Sequence, residues 1–230
     1  KAVEAAWKSG IVVVVSAGNF GRANSAGNNG YATITAPGNS PYTITVGAMK
    51  TKNTQTIGDD EIASYSSKGP SLIDHVVKPD IVAPGNRILS LLVYDSFLAI
   101  TNPGHVVTLQ SGDGDSFRGM LLSGTSMATP MVSGAVALML QKDSSLTPDQ
   151  VKARLMKTAN KHLPLSSMAI DPDSNVMYYS QYDIFTVGAG YLDISAALAN
   201  TEKADRSTLS PTAIYDSGTG KVKVVFDSSA

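Results

Sequence analysis

Ser123-Gly-Thr-Ser126-Met-Ala-Thr-Pro130-Met-Val-Ser-Gly134 stands at the head of a segment, residues 125–141, that is apolar almost all round. A helix of that pattern is expected inside a domain rather than on its surface. Upstream lie the β-branched run Ile11-Val-Val-Val-Val15 and further strand candidates at residues 42–48, 80–83 and 88–93. The all-apolar run suits a parallel sheet covered on both faces, and helix, strand, loop and strand in this order favour an α/β fold. Ser126 follows Gly124-Thr125 at the start of the apolar helix. Backbone N–H groups at a helix start point outward and favour developing negative charge, so the position suits an attacking hydroxyl. Taken alone, the same serine reads as a plain N-cap.

The composition narrows the function. The chain has 230 residues, enough for one large domain or two small ones, and a formal net charge of -1 from 18 Lys+Arg against 19 Asp+Glu. Near-neutral charge without a basic stripe lacks the long-range attraction that nucleic acid or an anionic membrane requires. Absence of cysteine excludes a disulfide scaffold, a cysteine nucleophile and thiolate metal sites. No unbroken apolar run exceeds six residues, against roughly 20 for a membrane span. The start, Lys1-Ala-Val-Glu-Ala-Ala-Trp7, reads as a helix without a cap, as if a segment preceded it.

Local signals fill in the rest. Gly10 ends the first helix, and Ser16-Ala-Gly-Asn19-Phe-Gly21 leaves the first strand as a glycine-rich loop. Residues 94–120, with Gly112-Asp-Gly-Asp-Ser116, read as a hairpin-like excursion. Thr147-Pro-Asp-Gln150 opens an amphipathic helix with Thr147 as N-cap, Pro148 in the first position and Gln150 placed for a capping box. Residues 160–190 are loop-rich, 193–199 form a short helix, and 213–226 alternate around Ser217-Gly-Thr-Gly220 like a hairpin.

Gly124-Thr-Ser126-Met-Ala-Thr-Pro130 resembles the nucleophile motif of the subtilisin-like serine proteases, the subtilases, with Ser126 at the nucleophile position. Val14-Val-Ser-Ala-Gly-Asn19 is similar to the family's strand and loop carrying the oxyanion-hole Asn, and Ala36-Pro-Gly-Asn-Ser-Pro-Tyr42 to the segment beside the substrate pocket. Ala63-Ser-Tyr-Ser-Ser-Lys-Gly-Pro70, Lys78-Pro-Asp-Ile-Val-Ala-Pro-Gly85 and Gly188-Ala-Gly190 continue the resemblance in order. It implies a three-layer α/β fold, a mostly parallel sheet between helices, lacking its N-terminal part. It further implies a serine endopeptidase in which Ser126 attacks a peptide carbonyl and Asn19 donates to the oxyanion. Ser16, Ala17 and Gly18 would line the specificity pocket by their backbone, with Thr35 near its floor and Ala36-Pro37 as a cis peptide. Residues 1–199 would belong to the catalytic domain and 200–230 to a C-terminal extension with a hairpin.

A nucleophilic serine needs a base. Subtilases place Asp and then His ahead of the oxyanion-hole Asn, whereas His75, His105 and His162 all follow Asn19 and read as solvated loop residues. The catalytic Asp and His are therefore expected from an upstream segment, and the 230 residues alone are expected not to turn over peptides. That segment is either present elsewhere, cut away, or lost in a non-catalytic scaffold derivative; retention of Ser126 and Asn19 favours the first two. An α/β-hydrolase reading of Gly124-Thr-Ser126-Met-Ala128 lacks a suitable Asp and His downstream. Met131 replaces a histidine frequent in the family and reads as packing. The excess length between Asn19 and Ser126 falls mainly in residues 94–120 and 23–30, expected surface insertions. The chemistry needs no cofactor. Structural calcium is frequent in the family but its ligands are not assignable here: Asp171-Pro-Asp173-Ser-Asn175 has alternate oxygen ligands without the glycine and glutamate of an EF-hand, and Asp59-Asp60-Glu61 and Asp113/Asp115 are weaker still. The family's usual setting is secreted or extracytoplasmic.

Overall fold

The computed structural model describes residues 1–110, 113–171 and 174–226. Helix α1 (Ala2–Lys8) has Lys1 at its N-cap without a side-chain cap bond, and the chain turns at Gly10, whose φ of +86° disfavours a side chain. The turn sends residues 11–13 into β1 (Val14–Ser16), which lies parallel to β2 (Ile44–Lys50) with Val14 opposite Ile44 and Ser16 opposite Val46. A short β3 (Glu61–Ile62) pairs antiparallel with the far end of β2. Strand β4 (Ile81–Pro84) runs parallel along the opposite edge of β2.

The alternation of β2 and β4 sorts the sheet's two faces. Ile44, Val46, Ala48, Ile81 and Ala83 belong to one apolar cluster with Trp7 and the helices described below, whereas Met49 and Val82 pack with Ile62, Val187 and Tyr191. Burial of each large aliphatic side chain contributes about 1.5–3 kcal/mol, so β2 and β4 anchor both layers. The expected five-residue strand covered on both faces is shorter and only partly buried: among the described residues β1 has β2 as its single neighbour.

Residues 88–122 form one unit that takes in both the strand expected at 88–93 and the hairpin-like excursion expected at 94–120. Strands β5 (Ile88–Leu91), β6 (Val106–Gln110) and β7 (Ser116–Leu122) make an antiparallel sheet with β7 in the middle, and α2 (Phe97–Thr101) crosses between the first two. Gly112 lies outside the described residues. Strand β7 then feeds directly into α3 (Thr125–Lys142).

Helix α3 packs on β1, β2 and β4 through Ala128, Val132, Ala135, Val136 and Met139. It is not buried all round as its composition predicts: Pro130, Ser133, Gly134, Ala137 and Leu138 are exposed, because nothing among the described residues covers that face. Pro130 sits in the helix without interrupting it; the missing N–H is the one that would reach back to the carbonyl of Ser126. Met131 is partly buried against the core, as its packing role predicts.

Helix α4 (Pro148–Thr158) carries the full capping box: Thr147 Oγ1 accepts from Gln150 N at 3.3 Å, and Gln150 Oε1 accepts from Thr147 N at 3.1 Å. Thr147→Ala is expected to lower stability by about 1 kcal/mol, read as a lower urea midpoint at constant slope. The loop-rich stretch contains an unforeseen hairpin, β8 (Ser166–Ile170) with β9 (Met177–Gln181), whose first strand, Ser-Ser-Met-Ala-Ile, is poor in β-branched residues. A short α5 (Ile194–Ala199), capped by Asp193, packs against α3 and α4. The chain then runs back along the body, with Thr208 N bonded to Asp149 and Val77 N to the Pro211 carbonyl, and ends in the expected hairpin β10 (Thr212–Asp216) and β11 (Lys221–Val225).

Candidate active site

The parallel strands end on one side of the sheet, where an open α/β sheet leaves room for a ligand. Ala17 N still bonds to Val46 O at 3.0 Å, and the chain leaves the sheet at Gly18. A Cβ on Gly18, whose φ is +111°, would stand 2.8 Å from Ser67 Oγ and 3.0 Å from Thr35 Oγ1, so only glycine fits between these hydroxyls. Asn19 follows, exposed at the strand's end.

The head of α3 is seated on the end of β4. Gly85 N donates to Met49 O at 3.0 Å, and Gly85 O accepts from Gly124 N at 2.8 Å and from Tyr65 Oη at 3.0 Å. Burial pushes the Tyr65 hydroxyl up to about 12, so it stays a neutral donor. A Cβ on Gly85 would stand 2.8 Å from the Ala48 Cβ and 2.9 Å from Gly124 O, which leaves glycine as the residue that allows this approach.

Thr125 then joins the two ends. Asn19 Oδ1 accepts from Thr125 N at 2.9 Å and from Thr125 Oγ1 at 3.0 Å, while Thr125 Oγ1 accepts from Gly18 N at 3.2 Å. With its oxygen held twice, the Asn19 amide has a fixed direction, and its Nδ2 has no acceptor among the described residues. A Cβ on Gly124 would stand 3.2 Å from Asn19 Nδ2 and 3.7 Å from Ser126 N. Two N–H donors thus border one spot, and a side chain at residue 124 would crowd it. Ser126 itself is exposed, and among the described residues nothing hydrogen-bonds its hydroxyl or its backbone N–H.

The residues expected around a pocket also come together. Thr35 N bonds to Ala17 O at 3.1 Å, the Ala36–Pro37 peptide is cis, and Gly38 O accepts from Thr45 Oγ1 at 2.7 Å. Ser16, Gly18 and Thr35 are partly exposed, and Ala17 is fully buried. The three histidines lie elsewhere: His75, His105 and His162 are exposed, His105 Nδ1 lies 3.0 Å from Leu121 O, and none is bonded to Ser126. Among the described residues no three His, Asp or Glu side chains gather as metal ligands. Glu61 pairs with Lys52, Asp59 accepts from Thr54, and Asp60 is buried beside Tyr191, so that acidic run points three ways. Asp173 lies outside the described residues.

Two contributors went unassigned in the sequence. Thr125 sits inside the quoted motif, and its hydroxyl is what orients Asn19; the signal was the threonine ahead of the serine. Gly85 was visible as the glycine closing Ala83-Pro84-Gly85, and its closeness to Gly124 is a tertiary fact.

A free serine at the head of a helix that packs on a parallel sheet, facing an oriented amide from a strand end, defines an α/β protein with a site built at the strand termini. The chain belongs to the subtilase family: the Peptidase_S8 family model matches residues 1–171. It is 42% identical over 161 residues to the serine protease AprX of Bacillus subtilis strain 168, covering 70% of this chain and 33% of that protein. Subtilisin E of the same strain is 37% identical over 157 residues, 68% of this chain and 30% of that one. The crystal structure of fervidolysin from Fervidobacterium pennivorans, a keratinolytic enzyme related to subtilisin, superposes with a TM-score of 0.56 at 25% identity, over 87% of this chain and 24% of that one. The chain spans about a third of the length of these curated relatives. The fold is therefore the subtilisin-like α/β fold, without the part of it that lies outside these residues.

Proposed function

We propose that these residues supply the nucleophile and the oxyanion hole of a secreted serine endopeptidase. The observation that carries the reading is the oriented Asn19: Thr125 holds its oxygen, and its free N–H and that of Ser126 border one spot. In the proposed reaction Ser126 Oγ gives its proton to the base, attacks the peptide carbonyl and forms the C–O bond. The electron pair moves to the carbonyl oxygen, which accepts from Asn19 Nδ2 and Ser126 N. Collapse expels the amine with a proton delivered by the base, and water then hydrolyses the ester. Both donors are fixed before the reaction, so they strengthen as charge develops and need no reorganisation. Ser16, Ala17, Gly18 and Thr35 would receive the side chain preceding the scissile bond. The base and its orienting carboxylate would come from polypeptide outside these residues, consistent with the relatives' greater length and with histidines that all lie away from Ser126.

The test is Asn19→Ala in the full protein. Peptide hydrolysis is expected to fall about 10²–10³-fold in kcat with KM little changed, a magnitude known from a subtilisin, a relative in the same family. An unchanged kcat would remove Asn19 from the reading.

A further inference from the structure

We infer that Ser210, on the strap that follows α5, is a positioning residue for the pocket loop 35–45, acting through a buried charged network at the base of the sheet. The inference rests on the reading above that Thr35 and residues 16–18 line the substrate pocket. At the N-terminal ends of β2 and β4, opposite the Ser126 side, Lys78, Asp80 and Lys152 are all buried. Asp80 Oδ2 lies 2.7 Å from Lys78 Nζ and Asp80 Oδ1 3.0 Å from Lys152 Nζ. One carboxylate thus faces two lysines, and the remaining donors are satisfied by the loop itself. Lys78 Nζ donates to Thr43 O at 3.1 Å, and Lys152 Nζ donates to Thr43 O at 3.0 Å and Pro41 O at 3.3 Å.

Ser210 closes this network from a distant part of the chain. Its Oγ donates to Asp80 Oδ1 at 2.6 Å and accepts from Lys152 Nζ at 2.7 Å. Asp80 in turn accepts from Thr45 N at 2.7 Å, and Thr45 Oγ1 donates to Gly38 O, two residues before which stands the cis-linked Ala36. A Cβ on Gly38 would meet Ser16 O at 2.9 Å and Thr35 O at 3.0 Å, so Gly38 is pressed against the pocket wall. The path from Ser210 to Thr35 is therefore continuous: serine, aspartate, threonine, glycine. Buried polar networks are stiff when complete and loose when one member is missing, because the orphaned group seeks new partners. Strap and pocket loop are held as one unit.

The experiment compares Ser210→Ala with Ser210→Thr, which keeps the hydroxyl, in the full protein. Amide hydrogen exchange of peptides covering residues 36–46 is expected to quicken about tenfold in Ser210→Ala, the equivalent of one lost buried hydrogen bond, with α3 unchanged. For peptide substrates, KM is expected to rise by a similar factor at nearly constant kcat, and Ser210→Thr is expected to restore both. Unchanged exchange, or an acceleration spread evenly over the chain, overturns the brace. Faster exchange with unaltered KM overturns the link to the substrate. Failure of the functional reading shows separately, as an unmodified protein without Ser126-dependent hydrolysis, and the exchange result stands independently of it.

Discussion

Ser126→Ala is expected to abolish peptide hydrolysis by the protein containing this chain, lowering kcat by about 10⁶. That figure is the loss known for the nucleophilic serine in a subtilisin, a relative of this protein. The physical basis here is local. The hydroxyl is exposed at the head of α3 and has no hydrogen-bond partner among the described residues, so its removal orphans no buried group. Alanine is also the better helix former, and the stability change is expected within about 0.5 kcal/mol. Asn19 and Thr125 keep their bonds, so the proposed oxyanion donors survive while the proposed attacking atom is gone. Steady-state hydrolysis of an extended peptide, with a thermal melt of the same sample, separates lost chemistry from lost fold. Substantial activity in a folded variant would contradict the assignment.

Asp80→Asn carries the largest expected cost in stability, about 3–5 kcal/mol at neutral pH, read from urea unfolding. Removing the carboxylate's charge leaves Lys78 and Lys152, both fully buried, without a counter-ion. Burial already holds Lys78 down to about 7, so the variant can shed this proton as pH rises, and the loss is expected to be smaller at pH 9 than at pH 6. In the native protein the two lysines hold Asp80 down at about 2, against an ordinary value of 3.8, despite the opposing effect of burial. A carboxylate with a depressed folded value binds fewer protons than the unfolded chain between these limits. Its stabilising contribution is present above about 4 and lost as pH falls through about 2, on the order of 2 kcal/mol. Asp80→Asn lacks that acid-side loss. Replacing Lys78, Asp80 and Lys152 together by apolar residues of similar volume is expected to cost far less than the single change, because no charge is then left alone.

The sequence made α1, α3, α4 and α5 legible, while α2 fell inside the stretch read as a hairpin-like excursion, and what tertiary contact creates was missed. Thr147-Pro-Asp-Gln150 encodes its cap within four residues, and the structure has both reciprocal bonds. Ser126 and Asn19 were singled out from two short local motifs, and the structure brings those two segments together. The joint between them was not readable, since the Thr125–Asn19 bonds span 106 residues and depend on the register of β1 against α3. Composition misjudged α3, where apolar residues all round predict burial on every side while Leu138 and Pro130 face outward. The Lys78–Asp80–Lys152–Ser210 network gave no signal at all: its members come from a strand entry, a helix and a strap, and a lysine's burial cannot be read from its neighbours in sequence.

The central claim is that Ser126 is the nucleophile facing an oxyanion hole made with Asn19. Treatment of the full protein with a peptidyl fluorophosphonate, followed by mass mapping of the adduct, tests it most directly. The account predicts a single phosphonyl group on Ser126, absent in Ser126→Ala and formed far more slowly in Asn19→Ala. An adduct on another residue, or none on Ser126 in a preparation that hydrolyses peptides, would contradict it.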